Sequence, residues 1–157
     1  MKPLSLHVQH LAFPAFDPEA TWRFYEEVMR LPLTDVISVN GDDPWLMMTF
    51  TLADGRQLAF FTVKHMEPRE QDGVPDWIYH SAFSAESAGA LQDWKRHLRK
   101  LDVEFSEEDH DGRQSIYLTD PNGITLEVHY PPQQSGPAAS AEGALQRMRR
   151  WMQANRQ

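Results

Sequence analysis

The sequence contains no cysteine, and this absence narrows the chemistry that is available to the protein. Disulfides, zinc–thiolate centres and a cysteine nucleophile are excluded, so histidine, aspartate and glutamate are the strong metal ligands that remain. Long apolar runs are also lacking: no stretch approaches the roughly 18 apolar residues of a membrane helix, and the N-terminal segment has no signal-peptide core. We therefore predict a cytoplasmic protein that does not contact a membrane.

Basic residues are few compared with acidic ones. The sequence has 15 lysines and arginines against 23 aspartates and glutamates, which gives a formal net charge of −8. Such a chain is poorly suited to a phosphate backbone, so we expect no nucleic-acid partner. With 157 residues, 41% of them hydrophobic, the chain is long enough for one domain with a sizeable core. Seven histidines and five tryptophans stand out, although composition alone assigns them no role.

The sequence consists of two halves that follow the same order of patterns. In each half a short apolar strand with a histidine, His10 or His80, leads into an amphipathic helix. Strands joined by a glycine turn follow, and aligning Gly55 with Gly123 brings the flanking leucines of the two halves into register. The repeated unit is therefore βαβββ, and it occurs twice.

Composition also predicts the boundaries of these parts. The units extend over about residues 5–63 and 77–130, and the polar segment 64–76, with its prolines and glycine, links them within a domain of residues 1–131. Residues 132–157 comprise a flexible stretch rich in proline, glycine, serine and alanine, followed by an amphipathic C-terminal helix.

Two segments carry a resemblance to a known family. They are "HLAFPAFDPEATWRFYEEVM", which begins at His10, and "IYLTDPNGITLEVHY", which ends at Tyr130. Together with the tandem units, they make the chain resemble the vicinal oxygen chelate superfamily over residues 5–131. That group contains glyoxalase I, type I extradiol dioxygenases, fosfomycin-resistance proteins, methylmalonyl-CoA epimerase and bleomycin-binding proteins. The resemblance implies an α+β fold in which the two tandem βαβββ units form an eight-stranded cupped mixed sheet, flanked by helices, around a metal.

The same resemblance implies a set of metal ligands. Carried over onto this sequence, the ligands are His10, His80 and Glu127, and the fourth family position is occupied by Ala59, which cannot bind a metal. A site of two histidines and one carboxylate leaves coordination positions open, which suits Fe(II) first and Mn(II) second, with Zn(II) or Ni(II) also possible. Glu127 would then be an anionic ligand inside the cup, compensated by the cation.

Further residues are candidates for catalysis or for the substrate pocket. The resemblance implies a tyrosine that faces the substrate at Tyr117, although an aromatic side chain that fills the cup is an equally good interpretation. His65 is the first candidate for a general acid/base and His110 the second. Residues that could line the pocket, or be ordinary core or surface residues, are Trp45, Trp77, Tyr79 and His129.

We therefore predict a metal-dependent enzyme of the extradiol-dioxygenase type that binds a small, catechol-like substrate. The alternatives are a drug-binding protein of the bleomycin-resistance type and a glyoxalase-like isomerase or lyase, which Ala59 disfavours. Thiol transfer to fosfomycin ranks lower, because it needs cations and the segment "EFSEEDHDGR" is mostly acidic. A homodimer is expected, because the fold leaves sheet edges that a partner can cover. The sequence leaves open whether the three ligands come from one chain or from two.

Overall fold

The computed structural model describes residues 6–68, 73–75, 78–110, 112–131 and 141–155. In these residues eight strands and three α-helices follow one another along the chain, and a π-helical turn (Phe24–Val28) continues the first helix. The strands are β1 (His10–Pro14), β2 (Leu33–Val39), β3 (Trp45–Thr51), β4 (Gln57–Val63), β5 (His80–Ser84), β6 (Ser106–His110), β7 (Arg113–Thr119) and β8 (Thr125–Tyr130). The helices are α1 (Pro18–Arg23), α2 (Ala88–Lys100) and α3 (Ala141–Ala154).

The strands form two four-stranded mixed sheets with the same topology. The strand order is β1-β4-β3-β2 in the first sheet and β5-β8-β7-β6 in the second. In each sheet the outer strand that precedes the helix, β1 or β5, runs parallel to its neighbour, and the remaining pairs are antiparallel. This arrangement confirms the predicted α+β fold with two βαβββ units and a C-terminal helix. Within one chain, however, the eight strands lie in two hydrogen-bonded sheets rather than in one.

The repeated turns and helix starts have clear local causes. Gly55 and Gly123 both adopt positive φ angles, 85° and 82°, which glycine reaches at little cost, and both lie in the turn before the last strand of their unit. The Asp17 side chain accepts a hydrogen bond from the Ala20 backbone N–H at 2.9 Å and caps α1. Ser87 caps α2 in the same way.

Each sheet turns one face towards a common core and leaves the other face open. The core joins apolar side chains of both sheets and of the helices that pack on them; its members include Phe50, Leu58, Phe60, Leu91, Leu98, Ile116, Leu126 and Val128. Since side chains alternate along a strand, the residues between these core positions lie on the opposite face of their sheet. We call these two surfaces the open face of the first sheet and the open face of the second sheet.

Hydrogen bonds between the units fix how they pack. The buried Tyr25 hydroxyl donates to a carboxylate oxygen of Asp120 at 3.0 Å, and the Phe16 backbone N–H donates to the Asn122 side chain at 3.0 Å. Asp120 also accepts hydrogen bonds from the backbone N–H groups of Asn122 and Ile124, both at 2.8 Å. The turn of the second unit is therefore held against the helical region of the first, and burial together with the Asp120 charge raises the pKa of Tyr25.

The C-terminal helix predicted from the sequence is present as α3. Its large apolar side chains are exposed in the single chain; they are Leu145, Met148, Trp151 and Met152. None of the helices in the described residues is both long and apolar enough to span a membrane.

Candidate metal and substrate site

The open face of the second sheet gathers most of the functional candidates. Strand pairing sets Ala82 and Tyr117 on either side of Glu127, and Ser115 opposite His129. Leu126 and Val128 on either side of Glu127 point into the core, so Glu127 itself points to the open face. Two cavities of about 580 and 450 Å³ lie on this face, and both are bounded by His80 and Tyr117.

His80 and Glu127 form a pair whose geometry fits a shared metal ion. The His80 Nε2 atom lies 3.4 Å from Glu127 Oε2, and the Glu127 side chain is only 8% exposed. Nitrogen and oxygen ligands bound about 2.1 Å from one cation are about 3.0 to 3.4 Å apart at ordinary coordination angles. A carboxylate so deeply buried also requires a hydrogen-bond donor or a cation beside it. The two predicted ligands of the second unit are thus placed to bind one ion.

Ser115 holds the carboxylate in this position. Its buried hydroxyl donates a hydrogen bond to Glu127 Oε1 at 2.7 Å, which leaves Oε2 directed towards His80. A partner of this kind orients a metal ligand before the ion binds. The glutamate in an otherwise apolar strand is therefore held by a dedicated donor rather than exposed to solvent.

Tyr117 and His110 lie beside the pair. The His110 Nε2 atom is 3.4 Å from the Tyr117 hydroxyl and 3.0 Å from the Glu108 carboxylate. Burial raises the pKa of the Tyr117 phenol and the Glu127 charge raises it further, while the hydrogen bond with Ser115 acts in the opposite direction. The net effect is a raised pKa, so the phenol remains protonated at neutral pH and can donate a hydrogen bond to a substrate oxygen.

His129 and Arg113 bound the other side of this surface. His129 is buried, and its Nε2 atom lies 3.2 Å from the Ser84 hydroxyl. His129 Nδ1 and Arg113 Nε are both buried and have no hydrogen-bond partner among the described residues. Both side chains line the 450 Å³ cavity together with His80 and Glu127.

The third predicted ligand, His10, lies on the open face of the first sheet. It pairs with Gln57 in the same register in which His80 pairs with Thr125, and its ring contacts the Gln9 side chain. Ala59 pairs with Ala12 as Glu127 pairs with Ala82, so Ala59 occupies the position equivalent to Glu127. Within a single chain, the described residues contain no group of three or more histidine or acidic side chains that could hold a metal ion.

The other predicted residues are dispersed. His65 follows β4 in a turn at a φ of 62°, and it lines none of the cavities beside the His80–Glu127 pair. Trp45 lies on the open face of the first sheet, where its ring packs against Phe61 with 6.3 Å between centroids. Tyr79 precedes β5 and is 60% exposed, and Trp77 lies outside the described residues. The structure therefore brings together His80, Glu127, Tyr117, His110 and His129.

Sequence reasoning missed two residues of this surface. Ser115 and Arg113 precede Tyr117 by two and four positions on β7, so both share its face of the strand. The alternating pattern of "RQSIYLT" predicts this shared face, because Ile116 and Leu118 point into the core and the residues between them point the other way. Arg113 stands at the end of an acidic segment, so the net charge along the chain hides a cation that strand alternation places on the face of Tyr117.

The fold and this surface define a class: small α+β proteins that consist of a duplicated βαβββ unit and carry polar residues on the open face of one sheet. The chain belongs to the Glyoxalase/Bleomycin resistance protein/Dioxygenase superfamily, whose family model matches residues 7–128. This confirms the predicted resemblance to the vicinal oxygen chelate group.

Individual relatives agree with this assignment. The chain is 30% identical to the metallothiol transferase FosB of Bacillus licheniformis over 131 residues, which cover 79% of this chain and 75% of that protein. It shares its fold with a glyoxylase/bleomycin resistance protein/dioxygenase domain from Frankia sp. EAN1pec, at a TM-score of 0.63 and 21% identity, covering 81% of this chain and 98% of that one. The trypanothione-dependent glyoxalase I of Leishmania major also has a TM-score of 0.63, at 16% identity, covering 96% of this chain and 97% of that one. At these identities the two structures show the fold alone.

Proposed function

We propose that this protein is a metal-dependent enzyme whose metal site combines His80 and Glu127 of one chain with His10 of a second copy. The observation that carries the proposal is the buried Glu127 carboxylate, which is oriented by Ser115 towards His80 Nε2. Its substrate would be a small molecule that chelates the metal through oxygen atoms.

A second copy is invoked because the ligands lie on two different open faces. Each sheet packs its other face into the common core, so these open faces are directed away from that core. The open face of the first sheet is also apolar, with Ile37, Met47 and Phe61 at its positions, and Ile37 is 44% exposed. A homodimer that sets the first sheet of one chain against the second sheet of the other would cover this surface and bring His10 to the His80–Glu127 pair.

The metal we propose first is Fe(II), with Mn(II) as the second choice. Two imidazoles and one carboxylate suit these ions and leave positions for a chelating substrate. When bound, the ion would polarise the substrate oxygens and, as iron, supply the chemistry of dioxygen. The protein's part is to hold the ligands, to orient the substrate and to move protons.

The reaction we propose first is ring cleavage of a catechol-like diol by dioxygen. The Tyr117 phenol, protonated at neutral pH, would donate a hydrogen bond to a substrate oxygen. His110, 3.4 Å from that phenol, would accept the proton that the diol loses on binding. His110 therefore replaces His65 as the first candidate for the acid/base, because it lines the cavity that His80 and Tyr117 share.

Thiol transfer is the second candidate reaction. It is supported by the 30% identity to a metallothiol transferase and by Arg113, a cation on the same surface as the His80–Glu127 pair. The acidic residues near Arg113 argue less strongly against binding of an anionic substrate, because Glu107 lies on the other side of the sheet and pairs there with Lys95 and Arg99.

Metal content tests the site itself. The protein would be purified without a metal-affinity tag, and iron, manganese, nickel and zinc would be measured after anaerobic incubation with each ion. About one ion per chain is expected in the unsubstituted protein, with loss in His80→Ala and in Glu127→Gln. His7→Ala serves as the matched control, because His7 precedes β1 and is exposed. Full metal content in both site variants would overturn the proposal.

Substrate assays then separate the two reactions. Iron-loaded protein would be mixed with catechols, and oxygen uptake together with a ring-opened product would support the dioxygenase. Manganese-loaded protein would be mixed with a thiol and fosfomycin, and loss of the free thiol would support transfer. The Tyr117→Phe variant is expected to slow the active reaction about 10²-fold or more, because it removes the proposed hydrogen-bond donor.

A further inference from the structure

The surface beside the His80–Glu127 pair contains a cation whose partner is absent from the described residues. Arg113 is partly buried on β7, its Nε atom is fully buried without a hydrogen-bond partner, and no described carboxylate lies within ion-pair distance of its guanidinium. The acidic residues of this face have other partners: Glu127 faces His80 and Ser115, and Glu108 faces His110. A buried guanidinium nitrogen without an acceptor is costly, so an acceptor is expected to arrive with a ligand.

A second side chain with an unpartnered nitrogen lines the same cavity. His129 is 7% exposed, its Nε2 atom contacts the Ser84 hydroxyl at 3.2 Å, and its Nδ1 atom is buried without a partner. If the serine hydroxyl donates to Nε2, the ring carries its hydrogen on Nδ1, which then lacks an acceptor among the described residues. Arg113 and His129 therefore each carry a buried nitrogen without a partner among the described residues, and both side chains line one 450 Å³ space that is also bounded by His80 and Glu127.

We propose that Arg113 and His129 form an oxyanion site, so that the substrate carries a carboxylate or phosphonate group besides the oxygens that chelate the metal. A metal ion on Glu127 would neutralise that carboxylate and leave Arg113 as the cation available to the substrate. A guanidinium binds both anion types through parallel N–H donors, which is the chemistry they share. This inference rests on the proposed function for the place of the metal, but its own residues can be tested without any metal.

The test is a side-chain NMR titration of the full chain. Arginine Nε–H and histidine resonances of ¹⁵N-labelled protein would be followed as benzoate or methylphosphonate is added, and the Arg113 signal would be assigned with Arg113→Lys. We expect one arginine signal and one histidine signal to shift saturably. Tighter binding of benzoate points to a carboxylate-bearing substrate, and tighter binding of methylphosphonate points to a phosphonate; either supports the site.

Variants make this result specific. Arg113→Met and His129→Phe should each weaken anion binding by about tenfold or more, since each removes a donor to a charged group. Arg113→Lys should retain part of the affinity. Arg56→Lys is the matched control, because Arg56 lies in the exposed turn before β4 and pairs with Asp54. No saturable shift with either anion, or unchanged affinity in both Arg113→Met and His129→Phe, would overturn the proposal.

The outcome is separable from that of the metal site. Anion binding in a protein that takes up no metal would leave the oxyanion site standing and defeat the proposed function. Metal uptake without anion binding would support the proposed metal site and refute the oxyanion site. If Arg113→Met instead dissociates the dimer and the unsubstituted protein binds neither anion, Arg113 pairs with the second copy and the oxyanion site is refuted.

Discussion

Two variants that each fail to bind metal should regain one metal site when a chain of one pairs with a chain of the other in a mixed dimer. The His10→Ala substitution removes the ligand on the first sheet, and Glu127→Gln removes the carboxylate on the second. If each site takes His10 from one chain and Glu127 from the other, a mixed dimer contains one site with both substitutions and one site with neither. No single chain in that mixture carries an intact set of ligands, so any recovery must come from sharing between chains.

The number of metal sites that the mixture regains follows from taking His10 from one chain and Glu127 from the other. Random pairing of equal amounts of the two chains makes about half of the dimers mixed, so about one quarter of all sites are intact. Mixed dimers isolated through two different non-chelating tags should therefore hold about one divalent ion per dimer, against about two in the unsubstituted protein. Metal content measured by mass spectrometry on dimers from co-expression gives this number directly.

The matched control combines His80→Ala with Glu127→Gln. Both residues lie on the second sheet and, at 3.4 Å, belong to the same half of the site. Every site in such a mixed dimer lacks one of them, so no recovery is expected. A His10→Ala and Glu127→Gln mixture that remains as metal-free as this control would refute the shared site, and so would an unsubstituted protein that binds metal as a monomer.

Three further changes test the contacts that support the site and the fold. Ser115→Ala should weaken metal binding about 10- to 100-fold in chelator competition, because the buried carboxylate of the pair loses its orienting donor; an unchanged affinity would contradict that role. Tyr25→Phe should lower the free energy of unfolding in urea by about 1.5 to 3 kcal/mol, because it leaves buried Asp120 without the phenol donor that links the units. Glu107→Gln should destabilise the protein near neutral pH but not at low pH. The hydrogen bond from Lys95 lowers the pKa of Glu107 in the folded protein. The stabilisation from the Glu107 carboxylate is therefore present above its unfolded pKa of about 4.3 and is lost as the pH falls through the lower folded pKa. Equal destabilisation at pH 3 and pH 7 would exclude this linkage.

The fold was predictable because its information is local and occurs twice. His10 and His80 begin strands in equivalent registers, and Gly55 and Gly123 adopt nearly the same φ angle. Two copies of a weak pattern support each other, so the repeat is easier to detect than either unit alone. The π-helical turn at Phe24–Val28 was not predicted, because Tyr25 is fixed there by a hydrogen bond to a residue 95 positions later.

The relation between the sheets was not predictable, for a different reason. Alternation assigns residues to two faces of a strand but does not say which face meets the core when both contain apolar side chains. In the first sheet, Phe60 belongs to the core, while its neighbour Phe61 lies on the open face. The sequence therefore predicts eight strands and their order within each unit, but not that one chain holds them as two sheets on either side of a common core.

The site was predictable where a residue type conflicts with its surroundings. Glu127 is such a case, since a carboxylate between Leu126 and Val128 needs a compensating partner. Arg113 presents no conflict in the sequence, because an arginine after acidic residues looks like an ordinary surface side chain. It becomes a candidate only when β7 and β8 pair: its side chain then lines the same cavity as His80, Glu127 and His129, and its buried Nε atom has no partner among the described residues.

Two sheets of identical topology contribute unequally to the proposed site. At equivalent positions the first sheet carries Ala59 and Thr49 where the second carries Glu127 and Tyr117. Of the proposed ligands, the first unit has only the histidine on its leading strand, whereas the second has both the histidine and the carboxylate, with the Tyr117 phenol beside them. A symmetric dimer that pairs unlike sheets would give each site one ligand from the apolar face and two from the polar face, so a three-ligand site would not need a carboxylate at Ala59. In that dimer the apolar face of the first sheet, where Trp45 packs against Phe61, would form a hydrophobic wall opposite the donors of the second sheet.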